Sequence, residues 1–328
     1  MLMHSPTVPV TDYRRTASRR PWARLPAPVR QELTGLLNGS VTSVRPAGGG
    51  FTPGFAAVLS HGEGRSIFAK AAPASDAFVY PAYSREAEVA PLLPGDMPAP
   101  RLLGTRTVTA GDTEWLILAY EAVDGKMPGH PWTGDDLAAI EASCTASSRL
   151  LSHLPAHLSG SPVSQDITTV PSPFQAVADG GPAPWFLPSL TAGQARRFQA
   201  LWELSPEALA GDSVLHGDLR PDNILLRSGK ALFCDWNFLG TGAAWIDWVG
   251  VLPYARGGGL DVDSWLTRSA LTRGVPPEHI DAFLAALLAY MVHSGCQPDV
   301  ESSPQLRSHG RHTAQLIHAW TLSRWAQK

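Results

Sequence analysis

The stretch "LHGDLRPDNILLRSGKALFCDW", residues 215–236, places Asp218, Asp222 and Asn223 close together and follows them with two apolar runs separated by Ser228-Gly229. Short apolar runs flanking a two-residue Ser-Gly step read as a β-hairpin with a tight turn. If Arg227 pairs with Lys230, the ladder continues through Leu225 with Leu232 to Asn223 with Cys234. Asn223 at the start of one strand then lies beside Asp235 at the end of the other, about 5 Å away in the ladder direction. An amide oxygen and a carboxylate meeting at a hairpin mouth are hard oxygen donors, the type Mg²⁺ takes when waters and phosphates complete its shell. Asp218 enters the same mouth on a loop that Pro221 stiffens, by fixing its own φ and biasing Arg220 toward an extended backbone. A base held rigidly beside a metal-phosphate site is what in-line phosphoryl transfer to a hydroxyl needs.

His216-Gly217-Asp218-x-x-x-x-Asn223, followed by Asp235-Trp236, resembles the motif set of the aminoglycoside phosphotransferase family, a relative of the protein-kinase H-R-D-x-x-x-x-N and D-F-G signatures. The resemblance runs from about Ser43 to the C-terminus. It implies an α+β, protein-kinase-like two-lobed fold, with a small β-rich N-lobe and a larger, mainly helical C-lobe. It also implies ATP and Mg²⁺ as cofactors, Asp218 as catalytic base, Asn223 and Asp235 as metal ligands, and Trp236-Asn237 in the place of the kinase Phe-Gly. Asp247 in "AAWIDWVGVL" resembles the family's acid that braces the catalytic loop, and the counterpart of His216 supports that loop by packing and hydrogen bonding.

The N-terminal half supplies companions to this motif. Gly48-Gly49-Gly50-Phe51-Thr52-Pro53-Gly54 lies between two strand-like segments, where glycines let backbone N–H groups approach phosphate oxygens, which singles out Gly49, Gly50, Phe51 and Thr52. Lys70 ends the strand-like "IFAK" in a chain with four lysines against 22 arginines, and it matches the phosphate-contacting lysine of the family. Glu86 in "SREAE" falls on the next helix, where the partner of that lysine is expected; Glu88 would point roughly 200° away on the same helix. The strand "LILAYEAVDG" resembles the interlobe hinge whose backbone pairs with adenine, implicating Tyr120, Glu121 and Ala122.

The chain has 328 residues and a net charge of -3, which suits two lobes and leaves no polybasic footprint for nucleic acid. The longest apolar run, Ala282 to Val292, is too short to span a bilayer, so no membrane partner is expected. The basic N-terminus lacks the apolar core and cleavage site of a secretory signal, making the cytoplasm the default location. Three scattered cysteines fit neither a disulfide framework nor a zinc cluster.

Composition and periodicity divide the chain into a flexible basic tail over 1–24, an N-lobe over 25–122 built from an antiparallel sheet plus helix, and a C-lobe over 123–328. Helix is predicted at 26–38, strands at 41–46, 55–60 and 65–71 as a meander turning at 61–64, and helix at 84–93. A Pro-rich connector then leads into one buried strand. Beyond it helices are predicted at 133–154, with a capping box from Thr133 to Asp136, and at 191–204, 261–272, 276–295 and 304–327. Residues 155–188 read as a lid or substrate loop.

The functional expectation is an ATP- and Mg²⁺-dependent O-phosphotransferase that moves the γ-phosphate to a hydroxyl of a small molecule, whether an aminoglycoside-like or other antibiotic or a metabolite. Protein phosphorylation is disfavoured, because Gly217 stands where regulated protein kinases carry an arginine and little room for an activation loop separates Asp235 from Asp247. A polycationic acceptor calls for an acidic pocket, yet beyond residue 241 acids cluster only at Asp261 with Asp263 and at Asp299 with Glu301. A non-catalytic nucleotide-binding scaffold and a housekeeping sugar or amino-alcohol kinase remain the alternatives.

Overall fold

The computed structural model describes residues 11–326 apart from Arg14 and Glu63. Helix α1 (Ala27–Leu37) spaces Val29, Leu33 and Leu37 four apart, so one face is apolar, and it buries that face against Phe55, Leu59 and Ile117 of a sheet. The sheet joins β1 (Ser43–Pro46), β2 (Phe55–Ser60), β3 (Ser66–Pro73), β4 (Leu102–Ala110) and β5 (Thr113–Glu121), all antiparallel, in the order β1-β2-β3-β5-β4. The predicted meander is present as β1 to β3, although Glu63, within the turn expected between β2 and β3, lies outside the described residues.

Helix α2 (Val79–Val89) links β3 to β4 and starts earlier than the sequence suggests, because Asp76 Oδ1 accepts the Phe78 and Val79 amides at 3.1 and 2.9 Å. Strand β4 was not expected at all. It is an edge strand exposed along much of its length, so it lacks the apolar run that marked β5, and Pro98 and Pro100 just before it disguise it as a connector.

The C-lobe opens with α3 (Gly134–Leu150), whose Thr133–Asp136 capping box closes in both directions as read from the sequence. The loop region 155–188 holds two short helices, α4 (Val163–Thr168) and α5 (Phe174–Ala178). There follow α6 (Ala192–Ala208), β6 (Ser213–Leu215), the hairpin strands β7 (Ile224–Arg227) and β8 (Lys230–Phe233), and β9 (Gly240–Gly242). Helices α7 (Ile246–Gly257), α8 (Val262–Arg268), α9 (Pro277–Cys296) and α10 (Leu306–Ala326) complete the chain.

Helix α7 escaped the sequence reading because nearly every face of it is buried, with Trp248, Val251, Leu252, Tyr254 and an internal Pro253 among its core residues. A helix without a polar face has no period to read. Helix α9 is long and apolar enough to cross a membrane by length and composition, but 67% of its most apolar window is buried, and it packs against α6 and α10. It is the central helix of the C-lobe core.

The hairpin has the predicted register: Arg227 pairs with Lys230, Leu225 with Leu232, and the Cys234 amide donates to Asn223 O at 2.9 Å. Ser228 and Gly229 both take positive φ, 49° and 75°, the backbone a type I′ turn demands. Residues 1–10 of the expected loose tail lie outside the described residues, but Thr16 to Arg19 are tied to the rest of the molecule. Thr16 is fully buried, and the Ser18 amide donates to Ser302 O at 2.9 Å. Its polar composition hid this, since besides the isolated rings of Tyr13 and Trp22 the segment is held by hydrogen bonds to other loops and shows no apolar period.

Candidate active site between the lobes

A cavity of about 250 Å³ lies between the sheet and the β7–β8 hairpin. The glycine-rich loop, with Gly48, Gly49, Gly50 and Thr52, covers one side. Ala56, Val58 and Phe68 form an apolar wall; Tyr120, Glu121 and Val123 line the interlobe edge; Leu225, Asp235 and Trp236 face them from the C-lobe.

Lys70 sits on β3, the middle strand, opposite Ala56 on one side and Leu118 on the other. That position buries its ammonium, which is stable there only because acids meet it. Nζ donates to Glu86 Oε1 and Oε2 at 2.8 and 2.7 Å and forms a further ion pair with Asp235 Oδ1. The Tyr120 hydroxyl donates to Glu86 Oε1 at 2.8 Å, so Glu86 is fixed from both sides. Glu88 is exposed and pairs with Arg85.

Burial pulls the Lys70 ammonium toward the neutral form, but Asp235 and Glu86 more than offset this and hold its pKa above the ordinary value. Burial likewise pushes the Glu86 carboxyl up, against the pull of Lys70. Asp235 goes the other way: burial would raise it, yet Lys70, then Arg19 and Arg220, keep it below the usual carboxylate range. Asp235 also takes a left-handed backbone, φ 63°, which is uncommon for a residue with a side chain and aims its carboxylate out of the strand toward Lys70.

The loop carrying Asp218 is held by Asp247, whose Oδ2 and Oδ1 accept the amides of His216 and Gly217 at 2.7 and 3.1 Å. His216 Nε2 donates to Cys234 O at 2.7 Å while Nδ1 accepts the Asp218 amide at 3.3 Å, so this ring ties the loop to the hairpin. Gly217 has φ 76°, and a Cβ there would stand 2.1 Å from Phe238 O. We therefore expect Gly217→Ala to destabilise the fold by roughly 1–3 kcal/mol from strain alone, read as a lower urea midpoint, and to cut the reaction rate by displacing Asp218. A variant with wild-type stability and rate would contradict this.

Asp218 itself is gripped by Arg220 Nη1, and Arg220 in turn holds Asp222 through Nε at 3.1 Å and Nη2 at 3.3 Å. Asp222 is enclosed and also accepts the Gly50 amide at 3.1 Å, joining the glycine-rich loop to the loop carrying Asp218. Burial raises the Asp218 carboxyl above the ordinary value despite the pull of Arg220 and His216.

Asn223 Nδ2 donates to Asp218 O at 2.8 Å and to Asp218 Oδ2 at 3.3 Å. Both partners are acceptors, so the amide can be oriented only one way, and its Oδ1 carries no hydrogen bond among the described residues. An unengaged amide oxygen and the carboxylate of Asp235, both on the hairpin mouth, are a donor set that fits a hard divalent cation.

Of the residues singled out from sequence, Gly49, Gly50, Thr52, Lys70, Glu86, Tyr120, Glu121 and Asp235 line one cavity. Phe51 does not: its ring turns toward the C-lobe and packs 5.1 Å from His309 and 5.1 Å from the Arg220 guanidinium. Ala122 does not line the cavity either. The Glu121 amide is spent on Arg101 O at 2.9 Å, and the edge met by the cavity runs on to Val123 and Gly125. Asp218 and Asn223 stand behind the wall, reached through Arg220 and Asp222. Sequence reasoning overlooked Arg220, Asp222 and Arg19. The signal that could have found the first two is the Asp-x-Arg-x-Asp alternation of Asp218, Arg220 and Asp222, which places one cation between two acids.

A family model described as the phosphotransferase enzyme family matches residues 43–301. Among solved structures, an aminoglycoside phosphotransferase from Alicyclobacillus acidocaldarius subsp. acidocaldarius DSM 446 is 16% identical, covers 88% of this chain and 92% of its own, and superposes with a TM-score of 0.54. A microcompartment-associated aminopropanol kinase is 16% identical over 91% of this chain and 98% of its own, with a TM-score of 0.53. A choline/ethanolamine kinase family protein from Mesorhizobium loti is 12% identical over 90% and 94%, with a TM-score of 0.51. None of the curated proteins compared matches. At these identities the structural likeness establishes the fold: α+β, two-lobed and kinase-like, with a five-stranded antiparallel N-lobe sheet and a helical C-lobe.

Proposed function

The chain belongs to the phosphotransferase enzyme family, and on that premise we propose that it moves the γ-phosphoryl group of ATP to a hydroxyl of a small molecule. The observation that carries this reading is the buried Lys70–Glu86–Asp235 cluster at the interlobe cavity, with Asp218 linked to the same wall through Arg220 and Asp222. The adenine occupies the apolar part between Val58, Phe68 and Tyr120, and the phosphates run toward Lys70 and the glycine-rich loop.

Asp218 accepts the acceptor hydroxyl's proton as the new oxygen–phosphorus bond forms and the bond from the γ-phosphorus to the bridging oxygen breaks, releasing ADP. Lys70 offsets charge on the phosphates, and Arg220 and Asn223 keep the Asp218 carboxylate aimed. Mg²⁺ would be held by Asp235 and Asn223 Oδ1 and, when bound, neutralises phosphate charge. ATP as donor suits a cytoplasmic enzyme.

The surroundings of Asp218 favour a neutral or singly charged acceptor over a polycation. Arg220 already pairs with both Asp218 and Asp222 here, so little uncompensated negative charge is left to attract several cationic groups. The Phe238 carbonyl lies against Gly217, one residue before the base, and its ring is exposed.

The test is Mg²⁺-dependent ATP consumption measured across antibiotics, sugars and amino alcohols. Phosphate transfer to a hydroxyl compound is expected; tight ATP binding without transfer to any of them would favour a scaffold. The raised Asp218 also sets a pH dependence. The base works only when ionised, so kcat/KM is expected to rise with pH along an acid limb centred above the free aspartate value. A profile that stays flat down to pH about 4 would remove a raised carboxyl from the mechanism.

A further inference from the structure

The loop from Ala47 to Thr52 is satisfied on one side only. All its carbonyls are taken. Arg19 donates through Nε to Ala47 O at 3.1 Å, through Nη1 to Thr52 O at 2.6 Å, and through Nη2 to Gly49 O and Gly50 O. Thr16 donates its amide to Gly48 O at 3.3 Å and its hydroxyl to Gly50 O at 2.7 Å, and Ser303 Oγ donates to Phe51 O at 2.6 Å.

The amides are treated differently. Among the described residues those of Gly48, Gly49, Phe51 and Thr52 donate to nothing, while that of Gly50 reaches Asp222. Successive unengaged amides at the edge of a cavity that also holds Lys70 form a concavity suited to an anion. A guanidinium is the side chain able to produce this asymmetry, because its planar fork of five donors can take several carbonyls at once.

Arg19 itself lines the cavity, and an atom built on Gly50 would stand 2.9 Å from its Nη2 and 3.7 Å from Asp235 Oδ2. The segment is anchored outside the loop as well: the Tyr13 hydroxyl hydrogen-bonds His309 Nδ1 at 2.9 Å, and Ser18 binds Ser302. Neither Thr16 nor Arg19 falls within residues 43–301, the part that matches the family.

We propose that Thr16 to Arg19 belongs to the nucleotide-phosphate site, with Arg19 as a positioning residue that occupies the loop's carbonyls so that its amides serve the phosphates of the donor. This rests on the reading of the cavity as a nucleotide site. The strap adds to Lys70 a phosphate grip assembled from backbone.

The experiment is calorimetric titration of ATP and, separately, adenosine into full-length wild type, Arg19→Ala, Arg19→Lys and Thr16→Val. Adenosine carries no phosphate and reports the fold and the adenine wall. Arg19→Ala is expected to weaken ATP roughly tenfold to a hundredfold and leave adenosine unchanged, the range of a lost hydrogen bond to a charged group. Thr16→Val moves the same way by less, and Arg19→Lys, a point charge without the fork, restores little.

Equal ATP affinity in Arg19→Ala overturns the proposal. So does a parallel loss of ATP and adenosine, which a merely structural strap gives, or a gain in ATP affinity, which a plug gives. If Arg19→Ala does not fold, the same comparison is read from Thr16→Val. Wild type that binds neither ATP nor adenosine sinks the nucleotide-site reading itself, and this inference with it.

Discussion

Replacing Asp218 by alanine is expected to abolish turnover while leaving nucleotide affinity nearly unchanged. A positioned general base contributes roughly 10²–10⁴ in rate, and the neighbouring acid cannot stand in for it: Asp222 is fully enclosed and already holds both Arg220 and the Gly50 amide. Asp218 is not among the residues lining the cavity, so its removal does not change the walls that meet the nucleotide. Arg220 keeps Asp222 as its partner, and no buried charge is orphaned. Asp218→Asn sharpens the test, since it keeps the shape and an acceptor oxygen for Arg220 but cannot take a proton. Single-turnover rates and ATP titrations of both variants are the measurement. Full rate in either removes Asp218 from the mechanism, and a collapse of rate and affinity together would show that it holds the loop rather than the proton.

What made Asp218 and its neighbours legible was short range. The hairpin is specified within residues 223–235 by two apolar runs and a turn, and a two-residue turn leaves no freedom in the register, so the meeting of Asn223 with residue 234 followed from the sequence. The contacts that escaped are of two kinds. Some are long in sequence and polar: Gly50 to Asp222 spans 172 positions and Arg19 to the glycine-rich loop about 30, and a hydrogen bond to a loop carbonyl leaves no periodic trace. Others lack contrast, as α7 does by being apolar on all sides and β4 by being an exposed edge. Lys70 and Glu86 stand between these cases. Their pairing is 16 residues apart, and a lone lysine after an apolar run was itself a sign that an acid must come to it.

The second large effect is expected at Lys70, and it separates what the cluster does for folding from what it does for phosphate. Lys70→Met removes the cation shared by Glu86 and Asp235 and leaves two carboxylates facing each other where water is scarce. Breaking a buried ion pair from one side costs about 3–5 kcal/mol, so the urea midpoint falls sharply and activity is lost. The variant has one way to relieve the repulsion, which is to protonate Glu86, the acid whose carboxyl burial already pushes up. A carboxyl with a higher pKa folded than unfolded binds its proton more tightly in the folded state, so stability is gained as pH falls through that folded pKa. Lys70→Met is therefore expected to become more stable from pH about 8 to about 5, a trend larger than in wild type. Combining it with Glu86→Gln removes the repulsion at every pH. The double variant is expected to recover much of the stability and none of the activity, because Tyr120 can still donate to the amide oxygen but the ammonium that meets the phosphates from β3 is gone. A Lys70→Met protein as stable and as active as wild type, or a double variant that regains turnover, would show that this cluster is neither the keystone of the lobe contact nor part of the phosphate site.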